Sequence, residues 1–98
     1  MTAARQLELA PRPDAAEAWD AANPAVWLAF ERFALEAVRA GRQRLGAKAV
    51  WERLRWWSAL ETQGDPFKLN NSYTSYYARK FRRAHPRHAD LFAIRGAD

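Results

Sequence analysis

Apolar residues recur at helical spacing in the segment that follows Asn23. Four of them lie three or four positions apart and share one face of a helix at about 100° per residue: Val26, Phe30, Phe33 and Ala37. Asn23-Pro24 is typical of a helix start, with asparagine as the N-cap and proline at the first helical position. Gly41 suits the other end, because glycine readily adopts the left-handed conformation found after a C-cap. The pattern predicts a helix from Pro24 to about Ala40.

The next helical pattern covers about residues 47–60 and has two apolar faces. One face is assigned to the core and carries Val50, Leu54 and Trp57. The opposite face carries Trp56 and Leu60, which is unusual for a helix of a small domain. The simplest interpretation is that the first helix of the chain covers Trp56. The other hypothesis is a protein interface, because tryptophan is frequent in interface hot spots.

The segment from Asn70 to His85 predicts a helix with two distinct sides. Asn70 or Asn71 caps its start, and Pro86 follows its end. The inner side is assigned to the core and carries Tyr73, Tyr77, Phe81 and Ala84. The outer side is polar and basic, and it carries Ser72, Ser75, Tyr76, Arg79, Arg82 and Arg83, with Lys80 on the flank.

Shorter elements complete the pattern. A first helix starts at Asp14 with a capping-box-like sequence and is anchored by Trp19. A last helix over about residues 86–94 closes the core with Leu91, Phe92 and Ile94. Gly64 and Asp65-Pro66 favour a loop between the third and fourth helices. Within that loop, residues 67–69 are expected to form a brief extended piece that pairs with Arg44-Leu45.

These patterns predict an all-α fold, a compact bundle of about four to five helices. Residues 1–12 are expected to form a flexible N-terminal arm and residues 13–98 a single helical domain. The third and fourth helices would form a helix-turn-helix-like pair with residues 71–84 as the recognition helix. The connection Glu61–Asn70 is longer than the turn of about three to four residues in that motif, so a winged-helix-like variant also fits.

Composition narrows the class of protein. The chain has 98 residues, 49% of them hydrophobic, and no cysteine. The absence of cysteine excludes disulfides and favours a reducing compartment. No apolar run approaches the about 18 residues that a membrane span needs, and the amino terminus lacks the apolar block of a signal peptide. We therefore expect a cytoplasmic protein without membrane contact.

The charge is unevenly distributed. Residues 1–36 hold three basic and six acidic side chains, whereas residues 37–98 hold thirteen basic and five acidic ones. A basic half in a chain of net charge +5 suggests a polyanionic partner, DNA or RNA first. The alternative is that lysine and arginine only solvate the helices.

The outer side of the predicted fourth helix has the residue types that contact nucleic acid. Arginine binds phosphate or guanine, and serine, asparagine and tyrosine hydrogen-bond to phosphates or base edges. The predicted contacts with nucleic acid or another partner are Lys68, Asn71, Ser72, Ser75, Tyr76, Arg79, Lys80, Arg82 and Arg83. A basic helix that only keeps the protein soluble is the competing interpretation.

Metal and catalytic sites are not predicted. The spacing of His85, His88 and Asp90 resembles that of metal ligands. Pro86, however, places the two histidines on either side of a helix boundary. The simpler interpretation is that His85 caps the helix end and that His88 is exposed to solvent. A second set of charged residues resembles a nuclease cluster but lacks the strands that would hold it around Mg²⁺: Glu52, Glu61, Asp65 and Lys68. We expect no enzyme activity and no cofactor.

Several short motifs resemble, in the same order, those of a family of small phage and prophage proteins of unknown function. The motifs are Asn23-Pro24, WERLRW (51–56), DPFKLNN (65–71), YAR (77–79), His85-Pro86, and Leu91-Phe92 with Arg95. The resemblance covers about residues 19–95. This chain departs from the family pattern at Trp19-Asp20, where Phe-His is expected, and at Lys80-Phe81, where larger apolar residues are common.

The resemblance implies a phage accessory protein in a host cell, and two functions follow from it as hypotheses. The first is a DNA-binding protein that uses residues 71–84 as its recognition helix. The alternative is an effector that binds and inhibits a host protein, for example an anti-CRISPR protein, through the same basic face or through Trp56 and Leu60. A homodimer is compatible with either.

Overall fold

A computed structural model describes residues 15–92, and four α-helices make up most of this range. The helices are α1 (Ala15–Ala22), α2 (Pro24–Arg39), α3 (Ala47–Trp56) and α4 (Thr74–Ala84). A π-helical turn (Trp57–Glu61) extends α3, and 3₁₀ turns precede and follow α4 (Asn71–Tyr73 and Pro86–His88). Residues 15–92 form no strand, and the predicted all-α fold is confirmed. The predicted arm over residues 1–12, the start at Asp14, and Ile94 lie outside the described residues.

Helix α2 begins and ends where the sequence predicts. Pro24 is its first residue, but the Asn23 side chain does not cap it: Asn23 Nδ2 donates to the carbonyl of Trp19 (2.8 Å) and so ties α2 to α1. At the other end Gly41 has φ +94°, the left-handed conformation that favours glycine. Gly41 N donates to Val38 O and Arg42 N donates to Ala37 O, which together form a Schellman motif.

Aromatic side chains from three elements meet in the centre of the core. Trp51 of α3, Tyr77 of α4 and Phe30 of α2 are fully buried. The ring centroids of Trp51 and Tyr77 are 5.2 Å apart, and those of Phe30 and Tyr77 are 5.6 Å apart. Burying a side chain of this kind stabilises the fold by about 1.5–3 kcal/mol. Trp51 Nε1 is buried and has no hydrogen-bond partner within the described part of the chain.

The segment after α4 is not a full helix. The chain makes only the short 3₁₀ turn Pro86–His88, and the predicted last helix over residues 86–94 is wrong for its described part. Leu45 N donates to Leu91 O (2.7 Å), which forms a parallel bridge between Leu45 and Phe92. The predicted pairing of Leu45 with residues 67–69 is therefore also wrong. Leu91 and Phe92 nevertheless close the core as predicted, since both are 3% exposed.

The connection between α3 and α4 is folded back onto the π-helical turn. Ser58 is buried, and its Oγ accepts a hydrogen bond from Phe67 N (2.6 Å). Thr62 Oγ1 donates to Ser58 O (2.7 Å), and the rings of Trp57 and Phe67 stack with centroids 5.5 Å apart. These contacts hold a connection longer than a helix-turn-helix turn in a fixed position.

None of the helices in the described range has the length and apolar character needed to cross a membrane.

Candidate nucleic-acid interface

Helix α4 is held by its inner side. Tyr77, Ala78 and Phe81 are buried against α2, α3 and the Leu91-Phe92 segment, and Tyr73 is half-buried. Ala84, which the pattern assigned to the core, is exposed because the last turn of α4 extends past the core. The inner side fixes which residues of α4 face solvent.

The 3₁₀ turn Asn71–Tyr73 that leads into α4 is capped by Asn70, as predicted for the start of this helical segment. Asn70 Oδ1 accepts hydrogen bonds from Ser72 N and Ser72 Oγ, both at 2.9 Å. The next residue, Asn71, is linked to α3, because its Oδ1 accepts a hydrogen bond from Arg55 Nη2. Asn71 and Ser72, two of the predicted contact residues, are exposed but already hold this cap together.

The outer side of α4 exposes three arginines. Arg79, Arg82 and Arg83 are all exposed, and no carboxylate of residues 15–92 lies within 4.0 Å of their guanidinium nitrogens. Ser75 of α4 and Lys68 of the preceding loop are also exposed. The structure thus leaves a row of cations without an internal counter-ion in the described chain.

Two predicted contact residues, Tyr76 and Lys80, face α1 and not solvent. Tyr76 donates its phenol hydrogen to Asp20 Oδ2 (2.8 Å), and Lys80 Nζ forms an ion pair with the same oxygen. Lys80 Nζ also lies 4.6 Å from the ring centroid of Trp27, in a cation–π contact. Both side chains are half-buried, so they are not free partners for nucleic acid.

Asp20 is the residue that sequence reasoning missed. Only 6% of it is exposed, and its other oxygen, Oδ1, accepts a third hydrogen bond from the buried Tyr77 phenol (3.2 Å). The three side chains together satisfy a carboxylate that burial alone would strongly destabilise. Its three partners lie 56 to 60 positions later in the chain, so no local pattern in the sequence indicated these contacts.

Burial and Asp20 change the ionisation of both phenols. Burial first, then the hydrogen bond to Asp20 and the negative charge of Asp20, raise the pKa of Tyr76 to about 12. The pKa of Tyr77 is raised further, first by burial and then by the charge of Asp20 and its hydrogen bond. Both tyrosines are hydrogen-bond donors at neutral pH.

The two histidines lie at the start and at the end of the 3₁₀ turn that follows α4. His85 ends α4, as predicted, and its Nε2 lies 2.6 Å from Glu31 Oε2 of α2. His88 was predicted to be exposed to solvent, but it is half-buried. Residues 15–92 contain no group of three or more histidine, cysteine or acidic residues that could hold a metal ion.

The second apolar face of α3 is open to solvent. Trp56 is 60% exposed and Leu60 is 64% exposed, so the interpretation that the first helix covers Trp56 is wrong. The reason is that α1 packs elsewhere: the ring of Trp19 lies 5.4 Å from Tyr73, and Asp20 bonds to α4. The part of the chain that the structure describes leaves Trp56 and Leu60 without cover.

No family model, curated protein or solved structure matches this chain in the comparisons with known proteins.

Proposed function

We propose that the protein is a small phage or prophage accessory protein that binds DNA through the outer side of α4. The single observation that carries the proposal is the row formed by Arg79, Arg82 and Arg83, which is exposed and has no carboxylate partner in residues 15–92. A surface charge that is not needed for an internal ion pair is available to a phosphate backbone.

The dimensions of α4 suit a groove of duplex DNA. Its eleven residues span about 16 Å at 1.5 Å per residue. Ser75, Arg79 and Arg82 follow one another at spacings of four and three, which places them along one side of the helix. The major groove, about 12 Å wide, admits an α-helix presented in this way.

The predicted contact residues differ in whether their side chains are already bonded to other residues of the protein. Arg79, Arg82, Arg83 and Lys68 would bind phosphates, and Ser75 would approach bases or backbone. Asn71 and Ser72 would contribute from the cap at the helix start, as far as their cap contacts allow. Tyr76 and Lys80 act differently from the other predicted contacts, because they attach α4 to Asp20 and so fix the orientation of the arginines.

The proposal is tested by fluorescence anisotropy with a labelled duplex over a salt titration. We expect binding that weakens steeply with salt, with a log–log slope of about −0.9 for each phosphate neutralised. The double variant Arg79→Ala/Arg83→Ala should bind more weakly and have a slope shallower by roughly 2. The matched control is Arg42→Ala/Arg44→Ala, which removes two exposed arginines from the loop after α2 and should leave the slope nearly unchanged.

The duplex titration together with a pull-down from host lysate separates the proposal from the alternative, an effector that binds a host protein such as a component of a CRISPR system. Wild-type protein without duplex affinity at about 50 mM salt would reject the DNA-binding proposal. Capture of a host protein by wild type, lost in Arg79→Ala/Arg83→Ala, would then assign the same arginines to a protein partner.

A further inference from the structure

The polar side chains that lead into α4 are bonded to one another and to α3. Asn71 Oδ1 accepts a hydrogen bond from Arg55 Nη2, and the Asn71 carbonyl accepts one from Thr74 Oγ1 (2.7 Å). Ser72 Oγ donates to Asn70 Oδ1 (2.9 Å). An asparagine recognises adenine with its amide oxygen and its amide nitrogen together. Because Arg55 already occupies the oxygen, Asn71 is not placed for that contact.

The first turns of α4 add one free hydroxyl group. Tyr76 donates its phenol hydrogen to Asp20 Oδ2 (2.8 Å) and so faces α1. Ser75 is exposed, and its hydroxyl forms no hydrogen bond within residues 15–92. A serine hydroxyl donates or accepts, so it discriminates weakly between bases. In helix-turn-helix proteins it is the N-terminal part of the recognition helix that contacts the base edges, and in α4 that part is mostly bonded internally.

The three exposed arginines lie in the second half of α4: Arg79, Arg82 and Arg83. An arginine that reads guanine has to hold its guanidinium in one orientation, which neighbouring groups of the protein support. No carboxylate of residues 15–92 lies within 4.0 Å of these guanidinium nitrogens, so no ion pair of the described chain orients them. Phosphates line both edges of each groove, and a flexible cation binds them without a fixed orientation.

We propose that α4 binds duplex DNA of any sequence, through the phosphate backbone and not through the bases, a proposal that rests on the DNA-binding function above. The part of the helix suited to reading bases is occupied by its own cap and by Asp20. The part that carries the charge is suited to phosphates. The ligand class is therefore the DNA duplex itself, and not one operator sequence.

The number of cations sets the strength expected of such binding. Three arginines, with or without Lys68, neutralise about three to four phosphates, which corresponds to a log–log salt slope of about −2.7 to −3.6. Binding that depends on phosphates alone has a Kd on the order of 10⁻⁴–10⁻⁶ M at physiological salt.

The test is fluorescence anisotropy of the full chain with three labelled duplexes of equal length, one of A·T pairs only, one of G·C pairs only and one of mixed sequence. We expect Kd values within about threefold of one another and the same salt slope for all three. Selection from a random duplex pool should enrich no sequence. A protein that reads bases would instead lose roughly 5- to 150-fold for each wrong base pair.

Two variants at one position separate charge from base recognition. Arg82→Lys keeps the charge but removes the planar fork that grips guanine, so every duplex should bind within about threefold of wild type. Arg82→Ala removes the charge, so all three duplexes should bind more weakly by the same factor, with a slope shallower by about 0.9. Ser75→Ala should leave all three affinities unchanged. Circular dichroism would verify that each variant is folded.

The possible failures are distinguishable. An enriched sequence, or a loss of more than about tenfold in Arg82→Lys for one duplex and not for the others, would overturn binding through phosphates alone and leave DNA binding in place. A selective loss in Ser75→Ala would do the same. A wild-type chain that binds none of the duplexes at about 50 mM salt would overturn both proposals.

Discussion

At the scale of single residues, Asp20 controls how α4 is presented. Its carboxylate receives hydrogen bonds from Tyr76 and Tyr77 and an ion pair from Lys80, so one side chain of α1 fixes three of α4. A buried carboxylate is stable only when it is satisfied in this way, and removal of any partner leaves a desolvated polar group. The orientation of the exposed arginines on α4 therefore depends on a residue of another helix.

The ionisation of Tyr76 reports this contact. We expect Tyr76 to ionise at about pH 12 in the folded protein, whereas a tyrosine of the unfolded chain ionises near pH 10. The folded state then binds more protons than the unfolded state between these two values. The contribution of Tyr76 to the free energy of unfolding is full below pH 10 and falls as the pH rises through that window.

Ultraviolet titration of tyrosinate in wild type and in Tyr76→Phe would locate this step. In Asp20→Asn the pKa of Tyr76 should move towards 10 and remain above it, because burial, the largest cause of the increase, is retained. Ionisation of Tyr76 near pH 10 in the wild-type protein would contradict the hydrogen bond seen in the structure.

Contacts such as these could not be predicted from the sequence. Asp20 lies 56 positions before Tyr76 and 60 before Lys80, and helical periodicity carries no information at that separation. The pattern placed Tyr76 on the outer side of α4, which is correct for an isolated helix. Only the packing of α1 against α4 turns that side chain into an internal donor.

At the scale of elements, the sequence was sufficient to predict a helix end wherever that end is determined by its own residues. The start of α2 at Pro24, its end before Gly41 and the Asn70 cap of the 3₁₀ turn before α4 were all predicted. The segment after α4 was not, because Leu91 O accepts its hydrogen bond from Leu45 N, in a distant loop. The exposure of Trp56 likewise depended on where α1 packs.

The end of α2 can be tested by comparing two glycines. Gly41 has φ +94°, whereas Gly46 has φ −76°, and no atom lies within 4 Å of a Cβ added at either position. Gly41→Ala should therefore lower the free energy of unfolding by about 1–2 kcal/mol through backbone strain alone. Gly46→Ala should change it by less, because φ −76° is open to alanine: the gain of about 0.4–1 kcal/mol from restricting the unfolded chain is offset by the loss of glycine at the N-cap of α3, where alanine is disfavoured. Urea denaturation measures both, and equal effects at the two positions would contradict the Schellman motif.

At the scale of the whole molecule, the positive charge opposes folding. The net charge of +5 is concentrated after residue 36, and on α4 the three exposed arginines stand at like-charge spacings, with Arg79 three positions before Arg82 and four before Arg83. Like charges at these spacings destabilise a helix by about 0.2–0.5 kcal/mol for each pair. Such a row lowers the stability of the protein, which is the expected trade-off if α4 binds DNA as proposed.

This trade-off gives the last prediction. Arg79→Glu converts both repulsive pairs into attractive ones with the acidic residue on the N-terminal side, so we expect the free energy of unfolding to rise by roughly 1 kcal/mol at low salt. The control Arg87→Glu makes the same change in net charge at an exposed residue beyond the end of α4, and its gain should be smaller. High salt should reduce the difference between the two variants, because exposed charges are screened. The stabilised Arg79→Glu variant should also lose affinity for duplex DNA. If Arg79→Glu instead destabilises the protein, the guanidinium has a structural role, and the outer side of α4 is not a free binding surface.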